Sequence, residues 1–405
     1  MIQIHERIWF LPRPFATSAY ILFLWNRGSR HDPTGQEGLL HFVEHTLFKG
    51  TKRYKRRQIF QQVEGSGGEL NAFTTKDKIG IEMRIPPSAL SKALHTLYEL
   101  AYEAIFPEKE VEREREVILE EIAMYEDIPE ESLLDHFEEQ IFSEGGLRHP
   151  IIGYSHSLRE ISSRDLQKYY RENLAQTPAV LLIAGPFSEK VLVSAIKANS
   201  LLNSLASTCQ PSSVQEERLA PPSEEVIERN TSQLHLVIGG VGPANYDWSK
   251  SLPLQLILYE IAGPQMSSYL NSLLREKYGW CYSVYSFFHG YIDYSTWGIY
   301  AGLTPEVRKE AKSVIAKALV RWIDAYVSAS KLSKLKRAFV GRQGIAWESI
   351  SYRLFVEGKY LLDKGKTFDF REWLDKIGEI SSYQLQKVAE EFFQSLYMRV
   401  FIPKR

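Results

Sequence analysis

The chain has 405 residues, of which 44% are hydrophobic and 24% charged, with a net charge of −1 at pH 7. That is the composition of a folded chain longer than a single core usually organises, so two domains or one duplicated unit are expected. The charge balance provides no global field for nucleic acid or anionic lipid, and Cys209 and Cys281 are too few for a disulfide framework or a four-thiolate zinc site. No run approaches the about 18 apolar residues of a membrane span, so the chain is read as soluble and cytoplasmic, without nucleic-acid or membrane partners.

In chain order, residues 18–30 read as a strand leaving through a polar turn, and 34–50 as a helix closed by Gly50 at its C′ position. Residues 65–86 begin glycine-rich and continue in strand alternation to Pro86, 87–106 and 108–127 are amphipathic helices, and 158–174 is a third helix before the apolar strand AVLLIAGPF. The Ser-, Pro- and Glu-rich stretch 198–225 reads as a linker. Beyond it the order begins again: a strand at 232–243, a helix at 249–262, two strands within 280–303, and an amphipathic helix after Thr304. Helices then follow to YQLQKVAEEFF and a terminal strand, YMRVFI. The repetition predicts duplicated α/β halves at 1–197 and 226–405, joined by the linker.

The stretch HFVEHTLFKG (41–50) sets two histidines and a glutamate in an otherwise apolar helix. Burying polar groups there costs on the order of 2–7 kcal/mol apiece unless partners satisfy them, so the group needs either ordinary hydrogen bonds or a cation. At about 100° per residue, His41 and His45 project about 40° apart, with Glu44 in the same arc. Two imidazoles so placed can face one ion while the glutamate takes a proton from a water, which is the H-x-x-E-H order of the inverzincins. A catalytic zinc needs a third protein ligand. On helix 108–127 the apolar stripe Val111, Ile118, Ile122 and Tyr125 is completed by Glu114 and Glu121, whereas Glu112, Glu116 and Glu120 fall on the opposite side.

With HFVEH followed by Glu121 and Glu114, the chain resembles the pitrilysin-type zinc metallopeptidases, in the processing-peptidase-like branch of similar length. GSRHDPTGQEGLLHFVEHTLFKGT, GGELNAFTTKD and HPIIGYSHSLREISSRDLQKYYREN extend the likeness over essentially the whole chain. The resemblance implies an α+β fold of two homologous halves, each a largely antiparallel sheet with helices packed on it, forming a clamshell on dimerisation. It implies one Zn2+ per chain held by His41, His45 and Glu121, Glu44 as the general base that activates the zinc-bound water, and Glu114 supporting the site from behind. Asn71 and Ala72 match positions on an edge strand where a peptide adds as a further strand. Arg275 and Tyr282, seven residues apart in MSSYLNSLLREKYGWCYSVYSFF, match an Arg/Tyr pair that donates to the substrate oxygen. The expected function is a zinc-dependent endopeptidase, a homodimer that hydrolyses peptides or unfolded segments in an enclosed chamber. The alternative is a non-catalytic structural or peptide-binding subunit of the same fold. The chain departs from the resemblance at AGPQMSS, where Pro264 and Gln265 replace common glycines, and at Trp280 and Cys281 beside Tyr282.

Overall fold

The computed structural model describes residues 1–199, 205, 216–323 and 327–404, so most of the 198–225 linker, with Cys209, lies outside the described residues. In chain order the described strands are β1 (Ile2–His5), β2 (Ile8–Pro12), β3 (Ala19–Trp25), β4 (Glu69–Thr74), β5 (Ile79–Ile85), β6 (Phe142–Glu144), β7 (Ala179–Gly185), β8 (Arg218–Leu219), β9 (Glu224–Arg229), β10 (Leu234–Gly242), β11 (Cys281–Gly290), β12 (Ser295–Leu303) and β13 (Tyr397–Pro403). The helices used below are α1 (Leu39–Leu47), α2 (Leu90–Tyr102), α3 (Glu108–Glu126), α4 (Pro129–Ile141), α5 (Trp248–Ala262) and α6 (Ile350–Lys364). The fold is α+β.

Two compact units emerge. The first comprises residues 1–123, 145–216 and 346–368, and the second 124–144, 217–345 and 369–405. The first unit is built on a six-stranded sheet of order β1-β2-β7-β3-β5-β4, antiparallel except where β2 meets β7. Its central strands β3 and β7 are buried along their whole length, as strands covered on both faces must be. Tyr20, Leu22 and Leu24 pack with Leu354 and Leu361 of α6. By alternation Ile21, Phe23 and Trp25 point to the other face, where Tyr102 of α2 meets Phe23 edge-on at 6.2 Å. β4 is an edge strand.

The second unit is built on a five-stranded sheet of order β11-β12-β10-β13-β9, antiparallel except for β13 with β9. Its chain order, β10, then α5, then the β11–β12 hairpin, repeats β3, α1 and the β4–β5 hairpin of the first.

Three predicted elements differ in the structure. The helix expected from residue 34 begins at Leu39, because Gly35 and Gly38 have φ of +84° and +91° and interrupt any earlier turn. A Cβ on Gly38 would lie 2.6 Å from the Ile152 carbonyl oxygen, so only glycine fits. Asp32 caps the start from a distance, accepting from the Gly38 and Leu40 backbone N–H groups at 3.0 and 3.1 Å. The helix ends at Leu47, and Gly50 is no C′ residue but pairs with Lys55 in a β-bridge. The 65–86 stretch folds back at Lys76–Asp77 into two strands. The predicted 158–174 helix breaks at Ile161, where Ser162 caps a new helix by accepting from the Asp165 N–H.

Candidate metal centre

Helix α1 presents His41, Glu44 and His45 toward α3. Val111 and Ile118 of α3 are fully buried, Glu114 and Glu121 are partly buried, and Glu112, Glu116 and Glu120 are exposed, which is the division that the apolar stripe predicted. Arg115, buried between the helices, holds them in place: its guanidinium lies 5.4 Å from the Phe42 ring centroid and donates to the Leu158 carbonyl.

One ligand atom each from His41, His45 and Glu121 lie within 4.8 Å of one another, the sole such grouping of three among the described residues. The rings of His41 and His45 meet edge-on at 4.5 Å between centroids. His45 lies between two carboxylates, with Nδ1 3.1 Å from Glu114 Oε1 and Nε2 3.3 Å from Glu121 Oε2. Lys49 Nζ pairs with the other oxygen of Glu114. Glu44 accepts a hydrogen bond at Oε2 from Thr74 Oγ1, 2.7 Å away on β4.

The protonation states follow from these surroundings. Burial, with the charge of His45 beside it, lowers the pKa of His41 to about 4, so its ring is neutral, and His41 Nδ1 is buried without a hydrogen-bond partner. Burial also opposes a charge on His45, yet Glu114 and Glu121 outweigh it and raise its pKa to about 9. The bond from His45 holds Glu121 below the usual carboxylate range; burial pushes Glu114 up, but His45 and Lys49 more than offset it. Glu44 is shifted the other way, raised by burial. A neutral imidazole with an unsatisfied nitrogen, an ionised carboxylate, and a second imidazole onto which two carboxylates draw a proton form a set that favours a cation. A dication would take the place of that proton, leaving His45 a neutral donor beside His41 and Glu121.

Asn71 and Ala72 separate across the sheet. Ala72 opposes Ile81, which opposes Phe23, so it shares the α2 face with Thr74. Asn71 opposes Glu82 on the α6 face; its side chain is exposed and donates to Glu82 Oε1 at 3.4 Å. Arg275 and Tyr282 belong to the second unit, where the guanidinium stands 4.9 Å from the Tyr282 ring centroid. Tyr282 is 78% exposed and Arg275 also reaches Met266 Sδ at 3.6 Å. Lys49 and Thr74 were missed from sequence. The available signals were the i+4 spacing of Lys49 from His45 and the shared parity of Thr74 with Ala72.

Family models described as insulinase (peptidase family M16) and peptidase M16 inactive domain match residues 11–155 and 160–339, in that order. The chain belongs to peptidase family M16. M16 relatives include an uncharacterised zinc protease of Streptomyces coelicolor, 27% identical over 90% of this chain and 80% of the relative. Another is the uncharacterised zinc protease YmxG of Bacillus subtilis, 27% identical over 93% and 90%. A crystallised protease from Helicobacter pylori shares the fold at a TM-score of 0.87 and 19% identity, over 98% of this chain and 97% of that one. A peptidase M16 inactive domain from Pseudomonas fluorescens also reaches 0.87, at 16% identity over 98% and 96%. The inactive-domain model includes helix α5, which carries no histidine.

Proposed function

We propose that this M16 chain is a zinc-dependent endopeptidase acting on peptides and unfolded segments. The observation that carries the reading is the convergence of His41, His45 and Glu121 within 4.8 Å, with Glu44 on the same helix. His41, His45 and Glu121 would hold one zinc per chain. Zinc in such a set lowers the pKa of a water toward neutrality and polarises a carbonyl. Glu44, with one oxygen engaged by Thr74, takes a proton on Oε1 and passes it to the leaving amine. Glu114 fixes the His45 ring through Nδ1 and is itself held by Lys49. Edge strand β4 offers its free side to an extended peptide, so affinity comes from main-chain hydrogen bonds and a range of sequences is accepted. Arg275 and Tyr282 donate to the substrate oxygen as charge develops on it. The reading includes a homodimer enclosing its substrate, with 1–197 as the zinc-binding part and 226–405 as the part carrying the Arg/Tyr pair. No helix among the described residues is long and apolar enough to cross a membrane.

Metal analysis tests the core of this reading: about one zinc per chain is expected, lost in His45→Ala and Glu121→Gln. A metal-free protein after chelator-free preparation would sink it. Glu44→Gln is expected to keep zinc and abolish peptide cleavage, which also separates a peptidase from a silent scaffold. Tyr282→Phe is expected to lower kcat on the order of 10²-fold with zinc retained; unchanged turnover removes Tyr282 from the reaction.

A further inference from the structure

Thr74, the last residue of β4, faces two ways. Its hydroxyl donates to Glu44 Oε2 at 2.7 Å. Its backbone orientation follows from the hairpin register. The Thr75 N–H donates to the Lys78 carbonyl at 2.7 Å, which makes Thr75 and Lys78 a hydrogen-bonded pair. Pairs alternate along an antiparallel ladder, so Thr74 opposite Ile79 is a non-hydrogen-bonded pair, as are Ala72 opposite Ile81 and Leu70 opposite Met83. At those positions the β4 N–H and C=O groups point away from β5, toward the open edge. One residue thus touches Glu44 with its side chain and presents its main chain to the line along which another strand would pair.

The turn after Thr74 is anchored by groups that the reaction does not use. Lys76, Asp77 and Lys78 at the hairpin tip are only 6%, 4% and 2% exposed, whereas such tips are normally solvated. Asp77 pairs with Arg30 at 3.2 Å and with Lys359 of α6 at 3.6 Å, and Lys78 pairs with Asp363 of α6 at 2.8 Å. Lys76 Nζ donates to the Leu147 and His149 carbonyls, and Gly28 lies so close that a Cβ there would stand 2.3 Å from the Lys76 backbone. Buried charges are a poor source of stability compared with apolar packing, but they fix a geometry. Here they fix the end of β4 against α6 and the loop that precedes α1.

We propose that Thr74 is the positioning residue that couples peptide addition at the edge of β4 to the orientation of Glu44. With the end of β4 fixed by its turn, the Thr74 hydroxyl holds Glu44 Oε2 and leaves Oε1 for the reacting water, and an extended peptide pairing with the Thr74 main chain is brought into register with that carboxylate. The inference rests on Glu44 being the base. Its product is a bias toward substrates that form the β-ladder up to Thr74.

The experiment compares Thr74→Val, Thr74→Ser and Glu44→Gln in the full zinc-loaded chain, with an unstructured fluorogenic peptide. Thr74→Val is expected to lower kcat on the order of 10- to 100-fold with KM within about twofold, while Thr74→Ser restores most of kcat. Zinc content stays at the parental value in both. In the Glu44→Gln background, where peptide binding is read without turnover by fluorescence anisotropy, adding Thr74→Val leaves Kd unchanged. A parental kcat in Thr74→Val, a loss confined to KM or Kd, or a serine variant as poor as the valine one overturns the inference while Glu44 stands. Parental cleavage by Glu44→Gln overturns the base reading and this inference together. Should Thr74→Val not fold, as judged by circular dichroism, Thr74→Ala carries the same expectations.

Discussion

The β4–β5 hairpin of the first unit and the β11–β12 hairpin of the second follow equivalent helices, yet they are fastened by different chemistry. The first is tied by paired charges, Asp77 with Arg30 and Lys359, and Lys78 with Asp363. At the second, Glu138 of α4 takes bonds on one oxygen from Thr296 at 2.8 Å, Tyr291 at 2.9 Å and His289 at 3.3 Å. The helices before the hairpins differ in the same sense: α1 carries His41, Glu44 and His45, whereas α5 is apolar along most of its length. Buried ion pairs are costly to desolvate and intolerant of losing one member; a carboxylate among hydroxyls is cheaper and more forgiving. The half that carries the candidate chemistry therefore has the stiffer and more vulnerable fastening.

Breaking the ionic fastening should have the largest effect. Asp77→Ala leaves Arg30 and Lys359 facing one another without their shared anion and is expected to cost about 3–5 kcal/mol in urea unfolding. A cost below about 1 kcal/mol would mean the charges are solvated after all. Burial opposes ionisation of Asp77, but Lys78, Lys359 and Arg30 outweigh it and hold its carboxyl below the usual range. Its contribution is therefore present at neutral pH and lost only as pH falls through that depressed pKa.

A second, smaller effect should appear earlier in acid. His31, in the loop before α1, accepts from the Gly28 N–H at 3.0 Å, and burial lowers its pKa to about 4. The unfolded chain takes up this proton near the ordinary value of about 6.5, so protonation favours unfolding between those values. Stability is expected to fall by up to about 3 kcal/mol as pH drops through that window. Urea unfolding of metal-free protein at pH 7.5 and pH 5 should show the loss together with that of His41, whose pKa burial lowers alike, and His31→Asn should remove the share due to His31; an equal slope in the variant would exonerate His31. The smallest effect belongs to the second hairpin, where Glu138→Gln keeps an acceptor oxygen and should cost about 1 kcal/mol. If it matched Asp77→Ala in the same melt, the contrast between the two fastenings would fail.

The sequence shows much of the local order and some of the candidate site. Glu114 and Glu121 were legible because carboxylates completing an apolar stripe are out of place, and His41, Glu44 and His45 because polar groups punctuate an apolar helix. Thr74 carried no such signal, since a threonine in a strand is ordinary. Lys49, in a basic neighbourhood just past the end of α1, reads as a solvated lysine until Glu114 is found beside it. The start of α1 was misplaced because its cap, Asp32, acts across a loop whose two positive-φ glycines carry no hydrophobic period. Nor does any local pattern assign α6 to the first sheet: its stripe, Leu354 and Leu361, suits any apolar face, and only its packing on β3 and β7 decides.

That assignment of α6 carries a consequence for biosynthesis. The helix bearing His41 and His45 is made within the first 47 residues, but Lys359 and Asp363, which complete the charge set around the β4–β5 turn, come from the segment at 346–368. A ribosome has therefore translated most of this chain before the strand beside Glu44 acquires its final support. Until then the nascent polypeptide carries His41, His45 and Glu121 but lacks the groups from 346–368 that complete the fastening of the β4–β5 turn.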